Sequence, residues 1–160
     1  MKEIVTRPIK DEDREWIGPF LAEAWGTEEI VSRGKLYNTH ELPGFIAFSD
    51  GQIAGVVTYN ITGDQCEIVT LNSFMENIGA GWANINAVKE EAASRGCGRL
   101  WLITSNDNIH ALRYYQKRGF TIAAIHCNAI EKSRELKPQI PMISDNGIPI
   151  RDEIEFEMKI

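Results

Sequence analysis

The chain changes its hydrophobic period partway along, and that change limits what it can fold into more than any other feature. Residues 44–48 and 53–61 are β-branched and aromatic runs separated by Ser49-Asp50-Gly51-Gln52, where Asp-Gly is a strong hairpin signal. A third run, 66–71, follows the turn Thr62-Gly63-Asp64-Gln65, so three consecutive strands read as an antiparallel meander. The pattern then becomes strand, glycine turn, helix (about 79–95, stopped by Gly96), strand (99–104), helix (about 109–118, stopped by Gly119) and strand (120–124 and somewhat beyond). A meander continued by a βαβ unit predicts an α/β fold: a mixed, largely antiparallel sheet of six or seven strands flanked by helices.

The ends of the chain add to this frame. Residues 2–9 alternate apolar and polar side chains, with Ile4 and Thr6 on one face, and Lys10-Asp11-Glu12-Asp13 supplies the acidic cap of a helix over about 11–25. Trp16, Ile17, Phe20, Leu21 and Trp25 give that helix one apolar stripe, and Gly26 is its predicted stop. Residues 128–136 suit one more short helix. The Pro- and Gly-rich connection from Lys137 to Pro149 is long enough to be either disordered or functional. Over 153–160, Ile154, Phe156, Met158 and Ile160 alternate with Glu153, Glu155, Glu157 and Lys159, which is the pattern of a half-buried strand; at a sheet edge it could support a homodimer.

Composition removes several classes of function. The 160 residues suit one domain spanning 1–160, with 43% apolar and 25% charged residues. No run approaches the ~20 apolar residues needed to cross a bilayer, and Met1 to Arg7 has no apolar signal core, so the expectation is a cytoplasmic protein with no membrane partner. A net charge of −6, without a Lys/Arg cluster interleaved with aromatics, argues against nucleic acid as a partner. Cys66, Cys97 and Cys127 are widely spaced, form no Cys-x-x-Cys pair and have no His at metal-ligand spacing, so they read as reduced thiols and no metal site is expected.

The sharpest local feature is Asn77-Ile78-Gly79-Ala80-Gly81-Trp82, set between an apolar strand and a helix whose Ile85, Val88 and Ala92 face a core. Free N–H groups in a first helical turn and the positive end of the helix dipole bind phosphate oxygens, and glycines let a ligand approach the main chain. The same glycines equally suit tight helix–strand packing. A dinucleotide site would want a third glycine at position 84, which is Asn84, and an acidic residue closing the next strand, which ends Ile103-Thr104-Ser105-Asn106 instead. A phosphate-binding P-loop is excluded because no Gly-Lys-Ser/Thr follows.

Downstream stands Asn108-Ile109-His110-Ala111-Leu112-Arg113-Tyr114-Tyr115-Gln116-Lys117-Arg118-Gly119-Phe120. Taken with the glycine turn and the intervening strand, its Asn-x-x-Ala-x-x-x-Tyr-x-x-x-Gly-Phe pattern resembles the GCN5-related N-acetyltransferase (GNAT) family, and the element order fits along nearly the whole chain. The resemblance implies acetyl-coenzyme A as co-substrate, entering where the sheet splays between the strands at 66–71 and 99–104. Its pantetheine arm would lie along residues 67–72, with main-chain N–H groups near Leu71 polarising the thioester carbonyl. The pyrophosphate would sit on N–H groups of Ile78, Gly79, Ala80, Gly81 and Trp82, and Asn108 and Ala111 would border the thiol end.

The resemblance further implies direct attack by an amine, on a small molecule or peptide, without a covalent enzyme intermediate. Tyr115 matches the tyrosine that protonates the departing thiolate; a phenol near pKa 10 giving its proton to a thiolate whose thiol has a pKa near 8.5 is uphill by roughly 2 kcal/mol. An alkylamine near pKa 10.4 must lose a proton before attack, and Glu67 occupies roughly the place of the general base. The other reading of Glu67 is a solvated carboxylate at a strand end. Glu153 and Glu155 are candidates for holding a cationic acceptor or for the base itself. Arg134 and the connection after it border the acceptor region, where that connection would form a wall. His110 and Tyr114 read as surface and packing residues. Two positions depart from the family: Glu76 stands where Gln or Arg is usual, and Asn72 and Ser73 lie where a proline is often found. A carboxylate near a pyrophosphate is repulsive unless it points away, so a catalytically silent acyl-coenzyme A-binding or regulatory module stays open as the alternative.

Overall fold

The computed structural model describes residues 3–25 and 29–160. The expected start of the first strand at Lys2 and the helix stop at Gly26 lie outside the described residues. The chain forms β1 (Ile4–Pro8), a short 3-10 turn (Asp11–Asp13), α1 (Arg14–Trp25), β2 (Glu29–Ser32), β3 (Lys35–Asn38), β4 (Gly44–Ser49), β5 (Gln52–Thr62), β6 (Gln65–Ser73), α2 (Ala80–Ser94), β7 (Arg99–Ser105), α3 (Ile109–Lys117), β8 (Thr121–His126), α4 (Ala129–Leu136) and β9 (Glu153–Lys159). The strands and helices read from period alone stand within a residue or two of their predicted bounds, except that the α-helix expected from about residue 11 begins at Arg14, after the 3-10 turn. Asp13 starts the first helix: its carboxylate accepts the Lys10 N–H at 2.7 Å and both Arg7 guanidinium nitrogens at 2.7 and 2.9 Å.

Seven strands make one sheet in the order β1-β4-β5-β6-β7-β9-β8, antiparallel throughout except where β6 and β7 run parallel. Alternation sends Val57, Tyr59, Cys66 and Ile68 to one face, where they bury against Ile85, Val88 and Ala92 of α2. On the other face Ile46 and Val56 pack against Ile17 and Leu21 of α1. Truncating a fully buried Ile85 to Ala would cost about 2–5 kcal/mol, so the α2 layer is a main source of stability. Gly96 and Gly119, at φ +81° and +93°, follow α2 and α3 in the left-handed conformation that ends helices.

The closing strand is not an edge. β9 lies between β7 and β8, which leaves β8 at the rim and removes the basis on which a C-terminal edge could support a homodimer. Its acidic face tolerates an interior position because basic side chains flank it: Arg99 of β7 pairs with Glu155 and Glu157, and His126 of β8 reaches Glu155 at 3.0 Å.

A small second sheet, the β2–β3 hairpin, is not anticipated from the sequence. Its two-residue turn is Arg33-Gly34, both at positive φ (49° and 73°), which joins Ser32 to Lys35. The strands have four residues each, too short for alternation to stand out; Gly34 between short runs of β-formers is the only local signal.

Candidate functional site

The site begins where two strands part. β6 and β7 pair only from Gln65/Arg99 to Ile68/Leu102, and no β7 residue is paired with the part of β6 beyond Ile68. At the same place β6 carries an extra residue: Thr58 lies opposite Thr70 and Tyr59 opposite Ile68, so Val69 is a β-bulge without a partner on β5. The bulge switches the parity of the strand, which puts Leu71 against the same core as Ile68. The divergence opens a cleft of about 600 Å³. It is lined by β6 (Ile68, Val69, Leu71, Ser73), the turn that follows (Met75, Glu76, Asn77), the start of α2 (Gly79, Ala80, Gly81), β7 (Leu102, Ile103, Thr104) and α3 (Asn108, His110, Ala111, Tyr114, Tyr115), with Arg118 at its end.

The start of α2 is shaped for close approach. Gly79 sits at φ +86°, and no side chain caps the first turn, so its leading N–H groups have no intrahelical partner. A Cβ on Gly81 would stand 2.8 Å from the Tyr114 hydroxyl and 3.2 Å from Ser73 Oγ, so any side chain there would push into the cleft wall. Of the five residues expected in this turn, Gly79, Ala80 and Gly81 line the cleft. The Ile78 side chain packs with Ala47, Ala54 and Ala80, and Trp82 packs against the α2 core.

α3 forms the opposite wall. Asn108 caps it, its side-chain oxygen accepting the Ala111 N–H at 3.1 Å, which fixes the end of the helix against the cleft. Tyr115 is held by edge and tilted contacts with Phe120, Phe156 and Tyr114, at ring separations of 5.5, 5.9 and 5.2 Å. Burial, with a smaller contribution from Tyr114, pushes its phenol well above the usual tyrosine value, so it stays protonated across the physiological range. Tyr114 and His110, expected at the surface or in packing, both border the cleft, their rings 6.1 Å apart. The Arg118 guanidinium lies 3.7 Å from the centre of the Tyr114 ring, placing a cation in a cleft that Glu76 also lines.

The opposite face of β6 holds the second part. Glu67 precedes Ile68 but points away from the cleft into a hollow of about 480 Å³ beneath the β2–β3 hairpin, shared with Ser32, Tyr37 and Trp101. It is not a solvated strand-end carboxylate: it is 2% exposed. Ser32 Oγ donates to one carboxylate oxygen at 2.5 Å and the Tyr37 hydroxyl to the other at 2.8 Å. Burial raises the carboxyl above its ordinary range, and those two hydrogen bonds act against the rise.

The three residues expected at the acceptor region are each held by protein partners. Glu153, 1% exposed, accepts the Arg33 main-chain N–H at 3.1 Å and faces its guanidinium at 3.4 Å. For Glu155, burial would raise the carboxyl, but hydrogen bonds from Arg99 and His126 outweigh it and hold the group below its usual range. Arg134 spends its donors on the carbonyls of Ile140, Pro141 and Ile150, so it clasps the long connection rather than facing a site. That connection is further tied by Asn106, which bonds the Pro149 carbonyl and the N–H groups of Arg151 and Asp152. None of its residues is among those that line the cleft or the hollow. Among the described residues no cluster of His, Cys, Asp and Glu could hold a metal ion, and no helix is long and apolar enough to cross a membrane.

Comparison with known proteins agrees with this geometry. The family described as "Acetyltransferase (GNAT) family" matches residues 10–120. The uncharacterized protein YdhI of Bacillus subtilis (strain 168) is 47% identical over 142 residues, covering 88% of this chain and 89% of its own length. Two solved structures share the fold: an IAA acetyltransferase from Bacillus cereus ATCC 14579 (TM-score 0.73, 23% identity, 99% of this chain and 100% of that one), and a GNAT family acetyltransferase from Elizabethkingia anophelis with acetyl-CoA bound (TM-score 0.66, 22% identity, 98% of each chain).

Proposed function

This chain belongs to the GNAT acetyltransferase family, and we propose that it transfers the acetyl group of acetyl-coenzyme A to an amine on a small molecule or peptide. The observation that carries this reading is the fork in the sheet: pairing between β6 and β7 ends at Ile68, the cleft opens there, and Glu67 stands on the opposite face one residue earlier. The cleft fits the coenzyme on grounds of its own shape, since a helix start without a side-chain cap and a glycine that admits no Cβ form a cradle for a phosphate-bearing ligand.

Bound there, acetyl-coenzyme A supplies a thioester as acyl donor. The main chain of β6 from Val69 to Leu71 offers polar groups towards the carbonyl, the usual place for stabilising developing negative charge. Glu67 takes the proton of the incoming ammonium, and its elevated pKa makes it a better base near neutrality for as long as it stays ionised. The amine nitrogen forms its bond to the acetyl carbon as the carbon–sulfur bond breaks, Tyr115 gives its proton to the departing sulfur, and the second proton that the nitrogen loses on becoming an amide leaves to solvent, from which the Tyr115 phenolate is protonated again. A thiolate in the same poorly solvated cleft is raised as the phenol is, so the proton transfer stays within reach.

A catalytically silent acyl-coenzyme A-binding module is favoured by one observation, the Glu76 carboxyl lining the cleft. Titration calorimetry with acetyl-coenzyme A, desulfo-coenzyme A and ADP, run on the native protein and Tyr115→Phe, separates the readings. The transferase reading expects binding that depends on the pantetheine arm and is equal in both proteins, with thiol release in the presence of amines only in the native one. Binding without turnover in either protein would favour the silent module.

A further inference from the structure

Glu67 has an unusual setting for a strand residue, because the groups that bond its side chain come from outside the main sheet. Ser32 ends β2 and Tyr37 lies in β3, so one hairpin delivers a hydroxyl to each carboxylate oxygen, at 2.5 and 2.8 Å. Both donors are buried, at 6% and 8% exposure. The Tyr37 hydroxyl also interacts with the Asn60 side chain of β5, which leaves it little freedom to turn away from Glu67. The same hairpin turn supplies Arg33 to the second buried carboxylate, Glu153 of β9. Two buried acids on neighbouring parts of the sheet thus serve as the points where the hairpin is fastened.

We propose that Ser32 and Tyr37 are positioning residues: together they fix the orientation of Glu67 and keep it ionised in a buried hollow, so that the β2–β3 hairpin sets the pH range over which the base works. This rests on the reading of Glu67 as the general base. A carboxylate buried without donors would hold its proton at neutral pH; two hydroxyls that donate to its oxygens bond the ionised form more strongly than the neutral acid and so favour the charged form. The charged and titratable groups facing Glu67 are few. Lys35 of β3 favours the carboxylate, Glu153 of β9 opposes it, and Tyr37, with its own proton held firmly by burial and by Glu67, acts only as a donor. Arg33 and Asp64 line the same hollow, and Trp101 of β7 contributes no charge.

The test is the titration of the Glu67 carboxyl by 13C NMR, assigned with Glu67→Gln, in the native protein, Tyr37→Phe and Ser32→Ala, with Ser32→Thr as the variant that keeps a hydroxyl. Alongside it, the acid limb of kcat/KM is followed with acetyl-coenzyme A and benzylamine as the probe amine, whose own titration is common to all variants. Each lost donor should move the Glu67 midpoint upward by about one pH unit, as expected for a hydrogen bond to a charged group. The acid limb should move with it, and Ser32→Thr should stay near the native midpoint. An unchanged midpoint in both Tyr37→Phe and Ser32→Ala overturns the hairpin's role. A midpoint that shifts while the acid limb stays put shows that Glu67 is held but is not the base, which overturns the proposal through the mechanism and leaves acetyl transfer itself standing.

Discussion

The two sides of β6 handle polarity in opposite ways. On the α2 side, main chain adds to the polar side chains of the cleft: a bulge at Val69, a stretch of β6 beyond Ile68 that β7 does not pair and a first helical turn with no side-chain cap. On the hairpin side, the most deeply buried group of the hollow is one carboxylate with a hydroxyl on each oxygen, with Arg33, Lys35 and Asp64 around it. Main-chain donors suit a ligand whose charges are fixed, such as a pyrophosphate, because they carry no proton equilibrium of their own. A side-chain carboxylate suits a partner that must lose a proton. The division matches a donor substrate on one face and an acceptor on the other.

Substitutions on each side should therefore fail differently. Glu67→Gln should have the largest effect, lowering kcat/KM by about 10²–10⁴-fold, the usual range for losing a general base, while calorimetric affinity for acetyl-coenzyme A stays near native. Tyr115→Phe should lower kcat by about 10²-fold with affinity again preserved; a loss of affinity instead would mean that its ring, not its proton, matters. On the cleft side Gly81→Val should weaken acetyl-coenzyme A by about tenfold or more, equivalent to about 1.4 kcal/mol, because even a Cβ would meet the Tyr114 hydroxyl at 2.8 Å.

Two smaller effects sharpen the contrast. Glu76→Gln should tighten acetyl-coenzyme A by roughly threefold at low ionic strength, with the gain fading as salt screens it; calorimetry across a salt series reads this directly. Remote from both sides, the Arg7 hydrogen bond, helped by the Lys10 N–H, holds the Asp13 carboxyl at about 2. Its folded value lies below the unfolded one, so the stabilisation is complete above about pH 4 and is lost as pH falls towards the folded value. Asp13→Asn should cost about 1–2 kcal/mol near neutrality after allowing for solvent screening around Arg7, with that deficit disappearing in acid and with kinetics untouched; thermal melts against pH check it.

The meander, α2 and the βα-β continuation were readable because each is long enough for its period to show, and Gly96 and Gly119 stop their helices where left-handed backbone is needed. The cleft was readable as a motif, because glycines at a helix start and a capping Asn108 are local devices. What stayed hidden is long-range. Ser32 and Tyr37 lie 35 and 30 residues from Glu67 and reach it only through a hairpin of four-residue strands. The place of β9 inside the sheet depends on Arg99 and His126 compensating its acids from strands on either side. Arg134 gave no local sign that it would turn to backbone carbonyls. Tyr114 and Arg118 face the cleft as a consequence of how α3 docks, which its own periodicity does not specify.

Acetyl transfer itself is tested most directly by incubating the protein with acetyl-coenzyme A and a panel of primary amines, following free thiol and the mass of each amine together. The account predicts that at least one amine gains a single acetyl group in step with thiol release, and that Glu67→Gln suppresses both without loss of coenzyme binding. Tight, pantetheine-dependent binding with no amine acetylated across small-molecule and peptide acceptors would contradict it and leave a binding module in its place.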